Sequence, residues 1–337
     1  MRHGARSMED GGEGCDVSDE TEDKMITGDT IRKRESTEPA EREELALTDG
    51  YRILPEEAAF PDGGIIACQG VRGANSQLAA DTLFPHGTIM YFKNFGAVAR
   101  AVSEGMCRFG VLPIENNTYG SVKNVYRILG RREVSIVRSM PQKITHVLLM
   151  KKGGKPGMIR KVISHEQALG QCSEFLHSLG DKVEEEACLN TAVAARLVSE
   201  SDDPGLACIS APECAELYGL NIVKKHIADS DRNYTRFLVV AREPDVYPGA
   251  NRISMILNLQ HKPGALARVL DLFAGAGINM LKIESAPIPG RDFEFSFYID
   301  IEASVRDAHV RQILDKLREE CPGFTFLGNY EEVSVGE

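Results

Sequence analysis

Residues 65–84 read IIACQGVRGANSQLAADTLF and decide the class of fold. The stretch begins with a short apolar strand run that ends at Gly70. After a polar loop, Leu78, Ala79 and Leu83 recur at the spacing of a helix. A strand, a loop and a helix in this order indicate an α/β unit.

The same unit recurs further along the chain. It is repeated by TIMYF with FGAVARAVSEG, FGVLPIEN with SVKNVYRILG, VISH with EQALGQCSEFLHSLG, and LACIS with APECAELYG. Strands alternating with helices predict an α/β architecture with a mainly parallel sheet. Residues 142–150 and 221–227 have the pattern of crossings between two lobes. We therefore expect a two-lobed body with a cleft over residues 63–242.

A second unit follows a linker rich in Pro, Gly and Asp at residues 243–250. Over residues 251–337 the pattern is strand, helix, strand, strand, helix, strand. This β-α-β-β-α-β order predicts a ferredoxin-like domain. Its small sheet leaves an edge, and such edges commonly pair with a partner chain.

Most of the acidity of the chain lies near its N-terminus. The 337 residues carry a formal net charge of −11. Residues 1–50 hold 7 Lys plus Arg and 15 Asp plus Glu, a net of −8, which leaves −3 for the other 287 residues. The first aromatic residue is Tyr51, so this segment has little apolar surface to offset the entropy of ordering. We expect residues 1–62 to be a disordered acidic tail.

Composition also bears on partners and location. The net negative charge argues against nucleic acid or a basic membrane surface. Apolar runs are far shorter than the roughly 18 residues of a membrane span, and no apolar core follows the N-terminal arginines as a signal peptide requires. We therefore expect a cytoplasmic protein that binds neither nucleic acid nor membrane.

The chain lacks the sequence patterns of common cofactor sites. Its 8 cysteines are scattered singly, which supports neither a disulfide framework nor a zinc site. The loop that begins at Gly70 follows neither GxGxxG nor the phosphate-binding loop pattern. We expect no nucleotide cofactor and no metal.

The loops between strands and helices share a polar chemistry. In an open α/β sheet, ligands bind beyond the carboxyl ends of the strands, where helix N-termini present free N–H groups. The loops read Gly70 to Ser76, Glu115 to Thr118, Ser164-His165, Leu189 to Thr191, and Ser210, whose neighbours form a capping box. Each loop alone could simply cap a helix. Five such loops at the carboxyl ends of the strands predict a site for a small anionic ligand.

Several runs in this order resemble the successive motifs of the prephenate dehydratase family. They are GVRGANS, GVLPIENNTYGSV, SHEQALGQC, NTAVAA, ECAELYGL and NYTRF, the last at residues 233–237. The runs PGAL at 263–266 and ESAP at 284–287 resemble the family's ACT regulatory domain. The resemblance covers about residues 64–332.

The resemblance implies a fold and an activity. It implies a two-lobed, type II periplasmic-binding-protein-like catalytic domain followed by an ACT domain. The family converts prephenate to phenylpyruvate, carbon dioxide and water without a cofactor, a step toward phenylalanine. It also implies phenylalanine as an allosteric effector and a homodimer or tetramer.

The resemblance further implies catalytic residues. Thr235 is the leading candidate, with Arg236 and Phe237 completing its motif, and its weakly acidic hydroxyl suits hydrogen-bond donation to the leaving oxygen. Thr235 alone would read as a strand residue. Arg236 could pair with a substrate carboxylate in a bidentate way or form a salt bridge within the protein. Glu115 is either a protonated acid or a structural brace.

The remaining candidates are binding residues. Those for substrate are Ser76, Asn116, Asn117, His165, Asn190 and Thr191. His165 could donate to a carboxylate or a hydroxyl, or it could cap a helix. Those for the effector, carried over from the ACT motifs, are Gly264, Ala265, Leu266, Glu284 and Ser285. The glycine could equally serve a tight turn.

Four positions depart from the family pattern, namely Asn75, Asn117, Glu166 and Ala286. The first three bear on substrate choice, so arogenate, the aminated relative of prephenate, is an alternative substrate. Ala286 stands where the family commonly has arginine, which predicts weaker or altered feedback. Together the departures leave a catalytically impaired binding protein as another alternative. The N-terminal segment is too short and too poor in apolar residues for a chorismate mutase, so no mutase activity is expected.

Overall fold

The computed structural model describes residues 50–288, 295–321 and 323–334. Its strands are β1 Arg52–Ile53, β2 Gly63–Gln69, β3 His86–Phe92, β4 Phe109–Asn116, β5 Gly120–Ser121, β6 Ser135–Lys143, β7 Val147–Met150, β8 Lys161–Ser164, β9 Glu184–Ala187, β10 Leu206–Ser210, β11 Asn221–Lys224, β12 Tyr234–Ala241, β13 Asp245–Val246, β14 Arg252–Asn258, β15 Asn279–Pro287, β16 Phe295–Glu302 and β17 Gly323–Glu332. Its helices are α1 Asn75–Leu83, α2 Phe95–Ser103, α3 Lys123–Leu129, α4 Glu166–Gly170, α5 Ser173–Ser178, α6 Thr191–Glu200, α7 Glu213–Leu217, α8 Ala265–Gly275 and α9 Ala308–Glu320. Within these ranges, the longest helices are too short or too polar to cross a bilayer.

The predicted two-lobed α/β body is confirmed. In the first lobe the strand order is β6-β12-β4-β2-β3, with β5 beside β4. In the second lobe it is β11-β7-β10-β8-β9. The central strands are apolar and buried, as in VLLM at residues 147–150, because helices cover both faces of such sheets.

Both sheets are mixed, whereas the sequence predicted mainly parallel sheets. β2 lies parallel to β3 and β4, but β12 runs antiparallel to both β4 and β6. β12 carries the chain back from the second lobe, so it enters the first sheet from the opposite end. The crossings between lobes occupy residues 144–146 and 225–233, and residues 221–224, predicted as part of a crossing, form β11.

The ferredoxin-like prediction for the last unit is also confirmed. Its strand order is β17-β14-β16-β15, with α8 and α9 as its helices. β17 also pairs in parallel with β6 through Glu331 with Arg138 and Glu332 with Ser139. The ACT sheet and the sheet of the first lobe are therefore continuous.

The segment just before the first lobe is ordered. Tyr51 is 6% exposed and packs in the ACT core, and β1 pairs with β13 inside the predicted linker. The Phe60 ring lies 5.5 Å from Phe109 and 4.8 Å from Tyr247, between ring centroids. The prediction of disorder is therefore wrong for residues 50–62, because these aromatic groups bury apolar surface. Residues 1–49 lie outside the described residues.

Candidate active site

A cavity of about 390 Å³ lies between the two lobes. It is lined by Gln69, Ala74, Asn75, Ser76, Phe95, Pro113, Asn116, Gly120, Ser121, Val122, Ile144, His146, His165, Gln167, Ala168, Gln171, Leu189, Asn190, Thr191, Thr235 and Phe237. Its size suits a small organic ligand. Seven of the predicted site residues line it, namely Ser76, Asn116, His165, Asn190, Thr191, Thr235 and Phe237.

The hydroxyl of Thr235 sits in an amide network at the wall of this cavity. Asn116 Nδ2 donates to Thr235 Oγ1 at 3.1 Å and to Asn233 Oδ1 at 2.8 Å. Asn233 and Gln171 exchange hydrogen bonds of 2.8 and 3.3 Å between their side-chain amides. Because the Thr235 oxygen accepts from Asn116, its O–H is available to donate to a ligand.

Two helix N-termini from opposite lobes end at the cavity. α1 has Ala74 at its N-cap and no side-chain cap, so the N–H groups of Asn75 and Ser76 can bind an anion. α6 is capped by Asn190, whose Oδ1 accepts from Val193 N at 2.8 Å. The N-terminal ends of both helix dipoles favour negative charge here.

The lobes are closed over the cavity. Gly70 has a φ of +108°, and a Cβ built on it would lie 3.0 Å from Asn190 Nδ2 of the other lobe. Across the same rim, the hydroxyl of Tyr218 donates to the carbonyl of Arg72 at 2.5 Å. Only glycine fits this approach at position 70 without strain.

The side chains that line the cavity include no Asp, Glu, Lys or Arg among the described residues. Burial lowers the pKa of His146, against an opposing hydrogen bond to Gln171. Burial likewise lowers the pKa of His165, against the opposing charge of Glu166. Both imidazoles are therefore neutral at neutral pH, and the cavity offers neutral hydrogen-bonding groups.

We expect His146 to make the protein labile to mild acid. Its pKa is lowered from 6.5 on folding, so below pH 6.5 the unfolded chain binds a proton that the folded protein does not. The free energy of unfolding should therefore fall as the pH falls from 6.5, by at most about 1.4 kcal/mol per pH unit from this group. In urea titrations, His146→Gln should flatten this slope, and His177→Gln, on an exposed residue, should not. Equal slopes in both variants would contradict this expectation.

Arg236 and Glu115 lie behind the cavity wall. Arg236 is 7% exposed; its Nε lies 2.8 Å from Glu115 Oε1 and its Nη2 donates to Asp300 Oδ2 of the ACT domain at 2.7 Å. Of the two alternatives for Arg236, this geometry matches the salt bridge within the protein, because the side chain points to the face of β12 opposite the cavity. Glu115 also contacts Lys282, and these two contacts match the alternative of a structural brace.

Two other predicted polar residues, Asn117 and His165, form hydrogen bonds with the backbone of the protein. Asn117 Nδ2 donates to the Arg232 carbonyl at 2.5 Å, and its Oδ1 accepts from Tyr234 N at 2.9 Å. It lies outside the cavity lining. His165 caps α4, since its Nδ1 accepts from Gln167 N at 3.3 Å. It also lines the cavity, and its donation to a substrate stays a prediction.

Ser210 does not form the expected capping box. Its hydroxyl donates to the carbonyl of Thr191 at 2.9 Å, and α7 has Pro212 as its N-cap without a side-chain cap. Of the positions that depart from the family pattern, Asn75 lines the cavity, whereas Glu166 is exposed at the start of α4.

Within one chain the predicted effector residues fall into two groups. Gly264 has a φ of +81° as the N-cap of α8, and Ala265 and Leu266 line a hollow of about 110 Å³ that also includes Phe295. Glu284 instead accepts a hydrogen bond from Ser121, and Ser285 is exposed. The chain by itself does not bring the two motifs to one pocket.

Sequence reasoning missed several residues of the site. His146 is 3% exposed, and its Nε2 donates to Gln171 Oε1 at 2.7 Å. Gln171 and Asn233 lie within motifs quoted above, so their amides were a readable signal. His146 follows a strand in a lobe crossing, and a polar residue beside the apolar run at 147–150 was its only mark.

Comparisons with known families settle which family this is. The family described as prephenate dehydratase matches residues 66–245, and the ACT domain family matches residues 254–319. The chain belongs to the prephenate dehydratase family. This member is an enzyme, a dehydratase of the lyase class, with a C-terminal ACT domain. Both assignments made from the sequence motifs are confirmed.

Of three similar proteins, two are named as dehydratases and one as an acylase. The chain is 38% identical over 277 residues to arogenate dehydratase/prephenate dehydratase 2, chloroplastic, of Arabidopsis thaliana. The aligned region covers 79% of this chain and 72% of that protein. The prephenate dehydratase of Arthrobacter aurescens, solved in complex with L-Phe, is 28% identical with a TM-score of 0.72, covering 80% of this chain and 90% of that one. GqqA, described as a novel type of quorum quenching acylase, is also 28% identical with a TM-score of 0.72, covering 80% of this chain and 98% of that one.

Proposed function

We propose that this member of the prephenate dehydratase family converts prephenate to phenylpyruvate, carbon dioxide and water, and that phenylalanine inhibits it. The observation that carries the proposal is the Thr235 hydroxyl, held by Asn116 at 3.1 Å in a cleft of neutral donors. Such a cleft can bind a dianion through hydrogen bonds and the two helix N-termini.

The residues support the chemistry as follows. The bond from the ring to its carboxylate breaks and releases carbon dioxide, and its electron pair completes the aromatic ring. The ring hydroxyl leaves from the opposite carbon with the electrons of its C–O bond and takes up a proton from the solvent to become water. Thr235 donates a hydrogen bond to that leaving oxygen. The enclosed cleft holds the dianion in the reactive orientation.

The charge of the cleft favours prephenate over arogenate. Arogenate carries an ammonium where prephenate has a keto oxygen, and an ammonium is best bound by a carboxylate. The described residues that line the cavity include no carboxylate, whereas a keto oxygen needs only a donor. We expect kcat/KM for prephenate to exceed that for arogenate by ~10-fold or more, the equivalent of about 1.4 kcal/mol. Parallel assays of both substrates measure the ratio, and an inverted ratio would show that the enzyme is an arogenate dehydratase.

The direct test is to incubate purified full-length protein with prephenate and follow phenylpyruvate by its absorbance in alkali. Turnover supports the proposal. Binding of prephenate in calorimetry without turnover would instead support a catalytically impaired binding protein. An acylase reaction is less well supported, because the contact made by the Thr235 oxygen is with the amide of Asn116, whereas a nucleophilic hydroxyl needs a neighbouring base.

Feedback by phenylalanine is part of the proposal. The two effector motifs lie apart within one chain, which supports a binding site completed by the ACT domain of a second copy, and hence a dimer or tetramer. We expect phenylalanine at up to millimolar concentration to lower the rate. Ala286→Arg, which supplies the residue common in the family, should lower the concentration needed. Light scattering checks the oligomer, and a rate unchanged by phenylalanine in both proteins would contradict the feedback.

The cytoplasmic location stays a prediction. The Arabidopsis thaliana relative is named as chloroplastic. Microscopy of the full-length chain with a C-terminal fluorescent tag tests the location, and an organellar signal would contradict it.

A further inference from the structure

One face of the ACT domain rests on the hairpin that carries Asn116. Lys282 of β15 forms an ion pair with Glu115 of β4 and donates to the Ser121 hydroxyl of β5 at 2.7 Å. Ser121 in turn donates to Glu284 of β15. Ser121 lines the catalytic cleft, so this ACT contact is one residue away from the substrate cavity.

The contact continues along the catalytic strand. Glu115 pairs with Arg236 at 2.8 Å, and Arg236 pairs with Asp300 of β16 at 2.7 Å. Lys282, Glu115, Arg236 and Asp300 thus form a row of alternating charges, which we call the charge ladder. It begins and ends on the ACT domain. Its middle two residues belong to the first lobe.

The charge ladder lies directly behind the catalytic pair. Glu115 precedes Asn116 and Arg236 follows Thr235, and the two pairs are cross-strand neighbours, Thr235 with Asn116 and Arg236 with Glu115. Because side chains alternate along a strand, ladder residues and cleft residues take opposite faces. The register of β12 against β4 shifts just after Arg236.

We infer that Lys282 of the ACT domain is a positioning residue for dehydration, acting through Glu115 and Ser121 on the Asn116 amide that orients the Thr235 hydroxyl. This deepens the proposed function and rests on the role given there to Thr235. The ammonium is well suited to the task. Burial lowers the pKa of Lys282, but its hydrogen bond to Glu115 and the nearby Tyr126 outweigh this and raise the pKa, so the group stays charged.

The test compares two lysine variants. Lys282→Met keeps an unbranched apolar side chain near the ring of Tyr126 but removes the ammonium. The matched control is Lys161→Met in the second lobe, whose ammonium also contacts two carboxylates, Glu184 and Glu186, away from the cleft. We expect Lys282→Met to lower kcat roughly 10-fold with KM within about twofold, since small misplacements of catalytic groups are costly. Lys161→Met should leave both unchanged, and Lys282→Arg should recover part of kcat.

The measured substrate is whichever of prephenate and arogenate the wild type converts. Unchanged kcat in Lys282→Met, or an equal loss in Lys161→Met, overturns the inference. The unfolding temperature of Lys282→Met is measured as well. If that variant is partly unfolded at the assay temperature and this accounts for its loss of kcat, the inference is also overturned. A wild type inactive on both substrates is a different result, because it overturns the proposed function itself.

A double-mutant cycle tests the route through Glu115. Glu115→Gln should also lower kcat, and Glu115→Gln combined with Lys282→Met should lower it by less than the product of the two single effects. That outcome supports action through the shared contact. Multiplicative effects would show that Lys282 acts by another route and would overturn the inference.

Discussion

Thr235→Val is expected to lower kcat by about 10²-fold or more, the scale of one lost oriented donor. Valine keeps the shape and the strand preference of threonine but has no hydroxyl. Asn116 Nδ2 keeps its bonds to Asn233 Oδ1 and to the Tyr234 carbonyl, so little of the network is left unpaired. Steady-state kinetics measure the effect, with the unfolding temperature recorded for the same sample.

The control for this prediction is Thr235→Ser. Serine keeps an oxygen that can accept from Asn116 and a hydrogen that can be donated to the leaving group. It should retain most of the activity, with some loss because its χ1 rotation is freer. If Thr235→Val turned over within about twofold of the wild type, the role of donor would have to pass to another residue.

Arg236→Met is expected to lower the free energy of unfolding by about 3–5 kcal/mol. The substitution leaves Asp300, which is 6% exposed, and Glu115 without their guanidinium partner. Arg252 stays 4.0 Å from Asp300 and compensates only in part. Ser254 still donates to Asp300 at 2.6 Å, but a buried carboxylate that loses its charged partner keeps most of its desolvation cost. Urea unfolding of the full-length protein measures the change.

An exposed pair provides the comparison. Arg196 and Glu200 lie one turn apart on α6, with side chains 46% and 64% exposed and 3.9 Å between them. Arg196→Met should cost less than ~0.5 kcal/mol, because water screens such a pair. Similar costs for Arg196→Met and Arg236→Met would mean that the charge ladder contributes nothing beyond a surface ion pair.

The motifs read from the sequence located most of the cleft. Asn116, Asn190 and Thr235 all line it, because the ends of strands and starts of helices in an α/β fold converge on one rim. The order of elements also gave the ferredoxin-like unit directly. These features depend on local pattern and on rules of chain connection, which a single sequence contains.

The surroundings of other residues depend on elements that are distant in the chain and pack against them. Period-two alternation shows that Arg236 faces away from Thr235 and Phe237, but it does not show that Asp300, 64 residues further on, meets it there. The sequence pattern places Tyr51 in a disordered tail, because the core that buries it is built from β14, β16 and α9, which lie far along the chain. His146 has only its position beside the apolar run at 147–150 to mark it, and its partner Gln171, which also lines the cavity, lies 25 residues further on.

The α/β class, the ACT unit and the motif residues of the catalytic cleft follow from the chain's own order of residues, since strand and helix periodicity and the order of loops are local properties. Which charges are buried together follows from the tertiary contacts instead. Contacts between elements far apart in the chain decide two pairings. They determine that Arg236 pairs with Asp300 and not with a substrate, and that Lys282 pairs with Glu115 and not with water. Burial removes water from these charged side chains, so each of them needs an oppositely charged partner at hydrogen-bonding distance.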